Sequence, residues 1–145
     1  MPDIYDRLTI ERCSDIELLS RLFRELAEDE RSDVKRTEDD YRQEMSRLLG
    51  RGELAYLFSA EGCPAGYALV DPFRKPYYLR HFYICRGQRL KGYGKAAFRL
   101  LLDALGISEI DLDVFDWNER GKAFWNSLGF KPRAIIMRYS SSDKS

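Results

Sequence analysis

Residues 89–98 read Arg-Leu-Lys-Gly-Tyr-Gly-Lys-Ala-Ala-Phe, with Gly92 and Gly94 at the point where an apolar strand pattern ends and a helical one begins. At a helix start several N–H groups lack an intrahelical acceptor and the helix dipole adds partial positive charge. Glycine then lets an anion approach without a Cβ in the way. The amides from Arg89 through Leu90, Lys91, Gly92, Tyr93 and Gly94 to Lys95 are therefore candidates for holding a phosphate, a pyrophosphate above all, with Arg89, Lys91 and Lys95 adding charge. The spacing is not a P-loop, since no G-K-[ST] follows, and Ala97 stands where a dinucleotide fingerprint has its third glycine. His81, the one histidine, lies on the strand just before this loop and has an intrinsic pKa suited to proton transfer.

The charge around these residues is lopsided although the formal total is zero. Pro72 to Leu102 contains no Asp or Glu but carries Arg74, Lys75, Arg80, Arg86, Arg89, Lys91, Lys95 and Arg99, whereas Glu25 to Glu44 is dominated by acids. A balanced total argues against a dedicated nucleic-acid binder, while a local basic patch suits a small phosphate ligand. Cys13, Cys63 and Cys85 are odd in number and far apart, which makes a disulfide framework or a zinc site improbable, and no metal ligands are assigned. No run approaches the ~18 apolar residues of a membrane span, and the N-terminus lacks a signal pattern, so a cytoplasmic protein without membrane attachment is expected.

The elements that must position the loop follow from periodicity. Residues around Leu8 and Ile10 alternate like a strand, and Ser14 with Glu17 reads as a capping box for a helix burying Ile16, Leu19, Leu22, Phe23 and Leu26. Thr37 can cap a second helix that turns Tyr41, Met45, Leu48 and Leu49 inward and stops at Gly50 and Gly52. Two apolar runs either side of Glu61–Pro64 predict a hairpin, and residues 77–84 a further strand. The helix after the loop, Tyr93 to Leu105, ends at Gly106 and leads to the alternating run Glu109–Phe115, which makes a parallel crossover. Asn118 caps a last helix, and residues 134–140 read as a closing strand. One domain over residues 1–139 is expected, with a polar tail at 140–145.

Two motifs in this context resemble those of the GNAT superfamily of N-acetyltransferases. Arg89-x-x-Gly92-x-Gly94 is similar to the R/Q-x-x-G-x-G/A signature, and Asn118-Glu-Arg-Gly-Lys-Ala-Phe-Trp-Asn-Ser-Leu-Gly-Phe130 is similar to Asn-x-x-x-x-Ala-Phe-Tyr-x-x-x-Gly-Phe. The order of elements matches over nearly the whole chain. The resemblance implies an α/β (α+β) fold, a mixed, mostly antiparallel sheet of about six strands flanked by about four helices. It implies acetyl-CoA as acyl donor, with main-chain groups of Phe82, Tyr83 and Ile84 on the pantetheine arm, the 89–95 loop on the pyrophosphate and Asn118 near the pantetheine. The reaction implied is direct transfer of the acetyl group to a primary amine of a small molecule or peptide.

Such a transfer needs an uncharged amine, so a group must take its proton. Asp113, five residues before Asn118, stands where family members with "LEVRxSN" place a catalytic Glu, and His81 is the alternative base. Trp125 replaces the tyrosine that often protonates the thiolate, and an indole N–H cannot act as that acid. Tyr83, Tyr93 and Tyr139 are the candidates to replace it. The final hairpin of the family is shortened here, which leaves the acceptor site open or completed by a second chain, a homodimer. The acidic stretch Asp29–Glu44 falls where the family borders its acceptor site and suits a cationic amine. A catalytically weak CoA-binding regulatory or interaction module is the alternative reading.

Overall fold

The computed structural model describes residues 7–142, apart from the side chains of Leu90 and Lys91. Five strands form one sheet in the order β1 (Leu8–Arg12), β2 (Leu54–Ala60), β3 (Cys63–Asp71), β4 (Tyr77–Ile84) and β5 (Ile110–Leu112). The first four are antiparallel neighbours and β5 runs parallel to β4. Helices α1 (Ile16–Asp29) and α2 (Glu38–Gly50) cover one face; α3 (Tyr93–Leu105) and α4 (Glu119–Ser127) lie on the other. Strand alternation sorts the side chains between two cores: Tyr67, Leu69 and Tyr83 pack beneath α1 and α2, and Ala68, Val70, Leu79 and Ile84 beneath α3.

Local chemistry explains most of the element ends. Helix α1 buries Leu19, Leu22, Phe23 and Leu26, with Ile16 only partly covered. Its cap is Asp15, whose carboxylate accepts from the Leu18 amide, so the capping box expected from Ser14 and Glu17 is not formed. One residue further along, the Asp15 side chain meets the first free amides. Thr37 and Asp40 do form a capping box at the start of α2. The hairpin turns on Glu61 and Gly62, both at positive φ, while Cys63 and Pro64 already belong to β3.

The sequence expectation fails at the C-terminal end. Residues 131–140 form no strand, and Ile135, Ile136, Met137 and Tyr139 are each more than 80% exposed. The sheet has five strands rather than about six, and β5 is three residues long. A strand needs a hydrogen-bonded neighbour, and β5 has none on its outer side among the described residues. Of the polar tail, 143–145 lie outside the described residues. Among those described, no helix is long and apolar enough to cross a membrane, and no group of three or more His, Cys, Asp or Glu could hold a metal ion.

Gly66 fixes how closely β3 approaches β4. A Cβ there would stand 2.0 Å from the Tyr83 carbonyl oxygen, a backbone atom that cannot move aside. Gly66→Ala is expected to cost about 2–4 kcal/mol, a fall of roughly 10 °C in thermal midpoint followed by circular dichroism.

Candidate active site

Strands β4 and β5 pair only from Tyr77–Ile110 to Leu79–Leu112 and then part. At that point the β3–β4 register shifts: Val70 faces Leu79 and Leu69 faces His81, leaving Arg80 as an extra residue. The bulged Arg80 is held from below, donating to the buried Glu53 at 2.7 Å and to Asp71 at 3.4 Å. Beyond it, the β4 edge that faces away from β3 has no strand partner among the described residues, and this opening holds Phe82, Tyr83 and Ile84.

The glycine loop closes one end of the opening. After Ile84 the chain makes a 3₁₀ turn over Arg86–Lys91, and Gly92, in the left-handed region at φ 77°, becomes the N-cap of α3. Among the described residues no side chain caps that helix start. The amides of Tyr93, Gly94 and Lys95 therefore remain available to an anion. The Cβ that Gly94 lacks would lie 3.0 Å from the Phe124 ring, so this glycine also lets α3 and α4 come together.

The Arg89 side chain is engaged by neighbouring elements. Its Nε donates to the Ile84 carbonyl at 2.9 Å, and its guanidinium pairs with Asp29 at the end of α1 at 2.8 Å. Arg120 of α4 meets the same carboxylate at 2.6 Å and Arg86 lies 3.6 Å away. Burial works to raise the Asp29 pKa, but hydrogen bonds from Arg89 and Arg120 outweigh it and hold the carboxyl below its usual range. A second tie runs beside it, where the Trp117 indole donates to the Glu30 carbonyl and Arg31 donates to the Trp117 carbonyl, each at 3.0 Å. An open groove of about 400 Å³ lies here, lined by Asp29, Arg31, Arg86, Trp117, Asn118 and Arg120 among others. A larger groove of about 650 Å³ between α1 and α2 is lined by ion-paired side chains such as Glu17, Arg42 and Glu38, away from the parted strands.

The two faces of β4 present different chemistry. Phe82 points toward α3 and α4, within an aromatic group of Phe98, Phe124 and Trp125, and Trp125 also meets Phe130. On the α1 side lie His81 and Tyr83. The Tyr67 hydroxyl meets His81 Nδ1 at 3.0 Å, the Phe23 ring lies 4.3 Å from the imidazole, and Tyr83 donates to Glu25 at 3.1 Å. Burial, with the nearby charges of Arg80 and Arg36, lowers the His81 pKa to about 3. The Tyr83 phenol is pushed upward by burial and by Glu25, so it keeps its proton.

Asp113 is exposed just past the parting point, where Tyr78 donates to it at 3.1 Å. The Tyr78 phenol is raised to about 12 by burial and by Asp113. Asn118 caps α4, accepting from the Gly121 amide at 2.9 Å. Tyr93 is buried against α3's core and Tyr139 is exposed far along the C-terminal segment. The side chains of Leu90 and Lys91 lie outside the described residues.

Glu30 falls inside the acidic stretch Asp29–Glu44, but the sequence reading does not single it out. Burial first, and then the Asp29 charge, raise its pKa to about 7. Its signal was present in the helical period: Glu30 follows Leu26 and Ala27 at i+4 and i+3, so an acid continues the buried stripe of α1.

The family model described as the acetyltransferase (GNAT) family matches residues 17–130, spanning the parted strands, the glycine loop and α4. The chain belongs to the GNAT acetyltransferase family. Solved structures share its fold at low identity. A possible acetyltransferase from Clostridium difficile 630 superposes with a TM-score of 0.72 at 16% identity, over 95% of this chain and 99% of that one. A predicted acetyltransferase from Clostridium acetobutylicum, solved with acetyl-CoA, gives 0.68 at 14% identity over 92% and 96%. The aminoglycoside N-acetyltransferase AAC(6')-Iy in complex with CoA gives 0.64 at 16% identity over 94% and 95%. No curated protein matches the sequence.

Removing the Asp29 charge leaves three guanidinium groups facing one another. Asp29→Asn is expected to cost roughly 2 kcal/mol in urea unfolding at pH 7. Because the folded pKa is depressed, the wild-type advantage is full above the unfolded carboxyl value and fades as pH falls through the lower folded one. The difference between the two proteins should therefore vanish in strong acid.

Proposed function

We propose that this GNAT acetyltransferase moves an acetyl group from acetyl-CoA to a primary amine of a small molecule or peptide by direct transfer. The observation that carries the reading is the parting of β4 from β5 beside an uncapped, glycine-led helix start. A slot between strands admits an extended arm, and the free amides of Tyr93, Gly94 and Lys95 suit its pyrophosphate. The surplus positive charge of Arg86 and Arg120 around Asp29 favours the same anion. When bound, acetyl-CoA supplies the acetyl group as a thioester that a neutral amine can attack.

Asp113 takes the amine proton, directly or through a water, at the point where the strands part. His81 suits this role less, because a pKa of about 3 leaves its ring a poor proton acceptor near neutrality. It orients Tyr67 instead. Of the three tyrosines expected as proton donors, Tyr83 is the one on the parted strand, and its phenol remains protonated. Glu25 and Glu30 make the α1 side acidic, which favours a cationic acceptor; Asp39 and Asp40 are engaged by Gln43 and by the α2 cap.

The packing of Trp125 against Phe82, Phe98 and Phe130 is the observation that favours the alternative, a weakly catalytic CoA-binding module. Turnover with a panel of amines separates the two readings, since a binding module gives none.

Acetyl-CoA at ~100 times its dissociation constant should add roughly 2.7 kcal/mol of stability, a shift of several degrees in thermal midpoint. Gly92→Asn, which tolerates the left-handed backbone, should keep most of that shift, and Gly92→Asp should lose it by repelling the phosphates. No shift in the wild type would remove the assignment.

Asp113→Asn is expected to lower kcat by roughly 10²–10⁴-fold while leaving the acetyl-CoA shift intact. Because Glu30 ionises near pH 7, KM for a cationic amine should fall as pH rises through that value. Glu30→Gln should raise KM roughly tenfold and flatten the profile, as steady-state kinetics from pH 6 to 8.5 would report.

A further inference from the structure

The pairing of β4 with β5 stops at Leu79–Leu112, so Asp113 is the first residue after β5 that no ladder holds against β4 among the described residues. It is exposed, and a side-chain bond ties it back to the sheet: the Tyr78 hydroxyl donates to Asp113 Oδ2 at 3.1 Å. Tyr78 stands on the other side of the parting, in the paired part of β4 opposite Asp111, and is only 8% exposed. Asp111 and Asp113 share a strand face, which brings Asp113 to Tyr78 diagonally.

The phenol ring is itself held in place. The Arg74 guanidinium lies 3.9 Å from its centroid and that of Arg80 5.2 Å. Both arginines reach Asp71, at 3.6 and 3.4 Å, and Arg80 donates to the buried Glu53 at 2.7 Å. Asp71 in turn pairs with Tyr78 across β3 and β4. Cations are attracted to the negative face of an aromatic ring, so the two arginines fix where the ring, and with it the hydroxyl, stands. Burial first, and then Asp113, raise the phenol to about 12, which keeps it a proton-bearing donor near neutral pH.

Resting on the reading of Asp113 as the base, we propose that Tyr78 is a positioning residue of the acyl transfer: it holds Asp113 Oδ2 so that Oδ1 meets the amine. The amine proton passes to Oδ1, and the phenol keeps its own. Tyr78 is buried beneath the parting, so it acts through Asp113 and not on the acceptor or the thioester. A carboxylate at the unpaired end of a three-residue strand samples several orientations; one fixed bond selects the orientation that reacts. The ion pairs that lock the bulge at Arg80 thereby also aim the base, since Arg80 and Asp71 belong to both.

Steady-state kinetics of Tyr78→Phe, Asp113→Asn and the double variant, with an amine that the wild type acetylates, test this. Tyr78→Phe keeps the ring and loses only the hydroxyl, so the thermal midpoint and the acetyl-CoA shift should stay close to wild type. Its kcat should fall roughly tenfold with KM for the amine unchanged. In the Asp113→Asn background the same substitution should change kcat by less than about twofold, because no base is left to aim. Arg74→Gln, at an exposed side chain, should lower kcat roughly threefold and lose that effect in the same background; it decides the matter should Tyr78→Phe fail to fold. A wild-type kcat in Tyr78→Phe, or equal fold losses in both backgrounds, which mark a packing role, would overturn the proposal and leave Asp113 as the base. A wild-type kcat in Asp113→Asn, or a wild type that acetylates no amine, would remove that reading and this proposal together.

Discussion

The carboxylate of Asp29 ties together three elements that are distant in sequence. Placed at the last turn of α1, it gathers Arg86 from the 3₁₀ turn, Arg89 from the glycine loop and Arg120 from α4. Three guanidinium groups converging on one carboxylate fix the 3₁₀ turn and the glycine loop to α1 and α4. Through Arg89, whose Nε also holds the Ile84 carbonyl, the position of α1 sets where β4 stops and where α3 begins. The tie of Trp117 to Glu30 fixes the chain after β5 to the same loop.

With both ends anchored, the middle is free to open. The bulge at Arg80, locked by Glu53 and Asp71, coincides with the last residue pair between β4 and β5. A buried ion pair at a bulge contributes modest net stability but makes alternative registers costly, because sliding the strand would strand a charge without a partner. The opening thus has an electrostatic lock on one side and a glycine-led helix on the other. Alternation along β4 then gives the site two walls, aromatic where Phe82 faces α3 and α4, and polar where His81 and Tyr83 face α1.

Trp125 belongs to the aromatic wall. Its contacts with Phe82, Phe98, Phe124 and Phe130 make it the packing link between α4 and the sheet, at a position where the family often has a tyrosine. The indole gains apolar contact area and gives up a titratable hydroxyl. The exposed segment at 134–139 follows this cluster closely in sequence.

Local signals carried much of this in the sequence. The spacing Gly92-x-Gly94 at a strand-to-helix junction is short-range information, as are the Thr37 cap, the Asn118 cap and the limits of β4 and α3, because each depends on backbone groups within a turn of the residue concerned. The family motifs added the expectation of a splayed strand, which the early end of the β4–β5 pairing matches. What only the tertiary structure decided is long-range. That Asp29 pairs with Arg89, that Tyr67, Phe23 and the charges of Arg80 and Arg36 surround His81 and lower its pKa, and that burial raises the pKa of Glu30 all depend on residues far apart in the chain. Residues 134–139 have the composition of a strand, but a strand exists only through its neighbour, and no pattern within one segment states whether that neighbour is present.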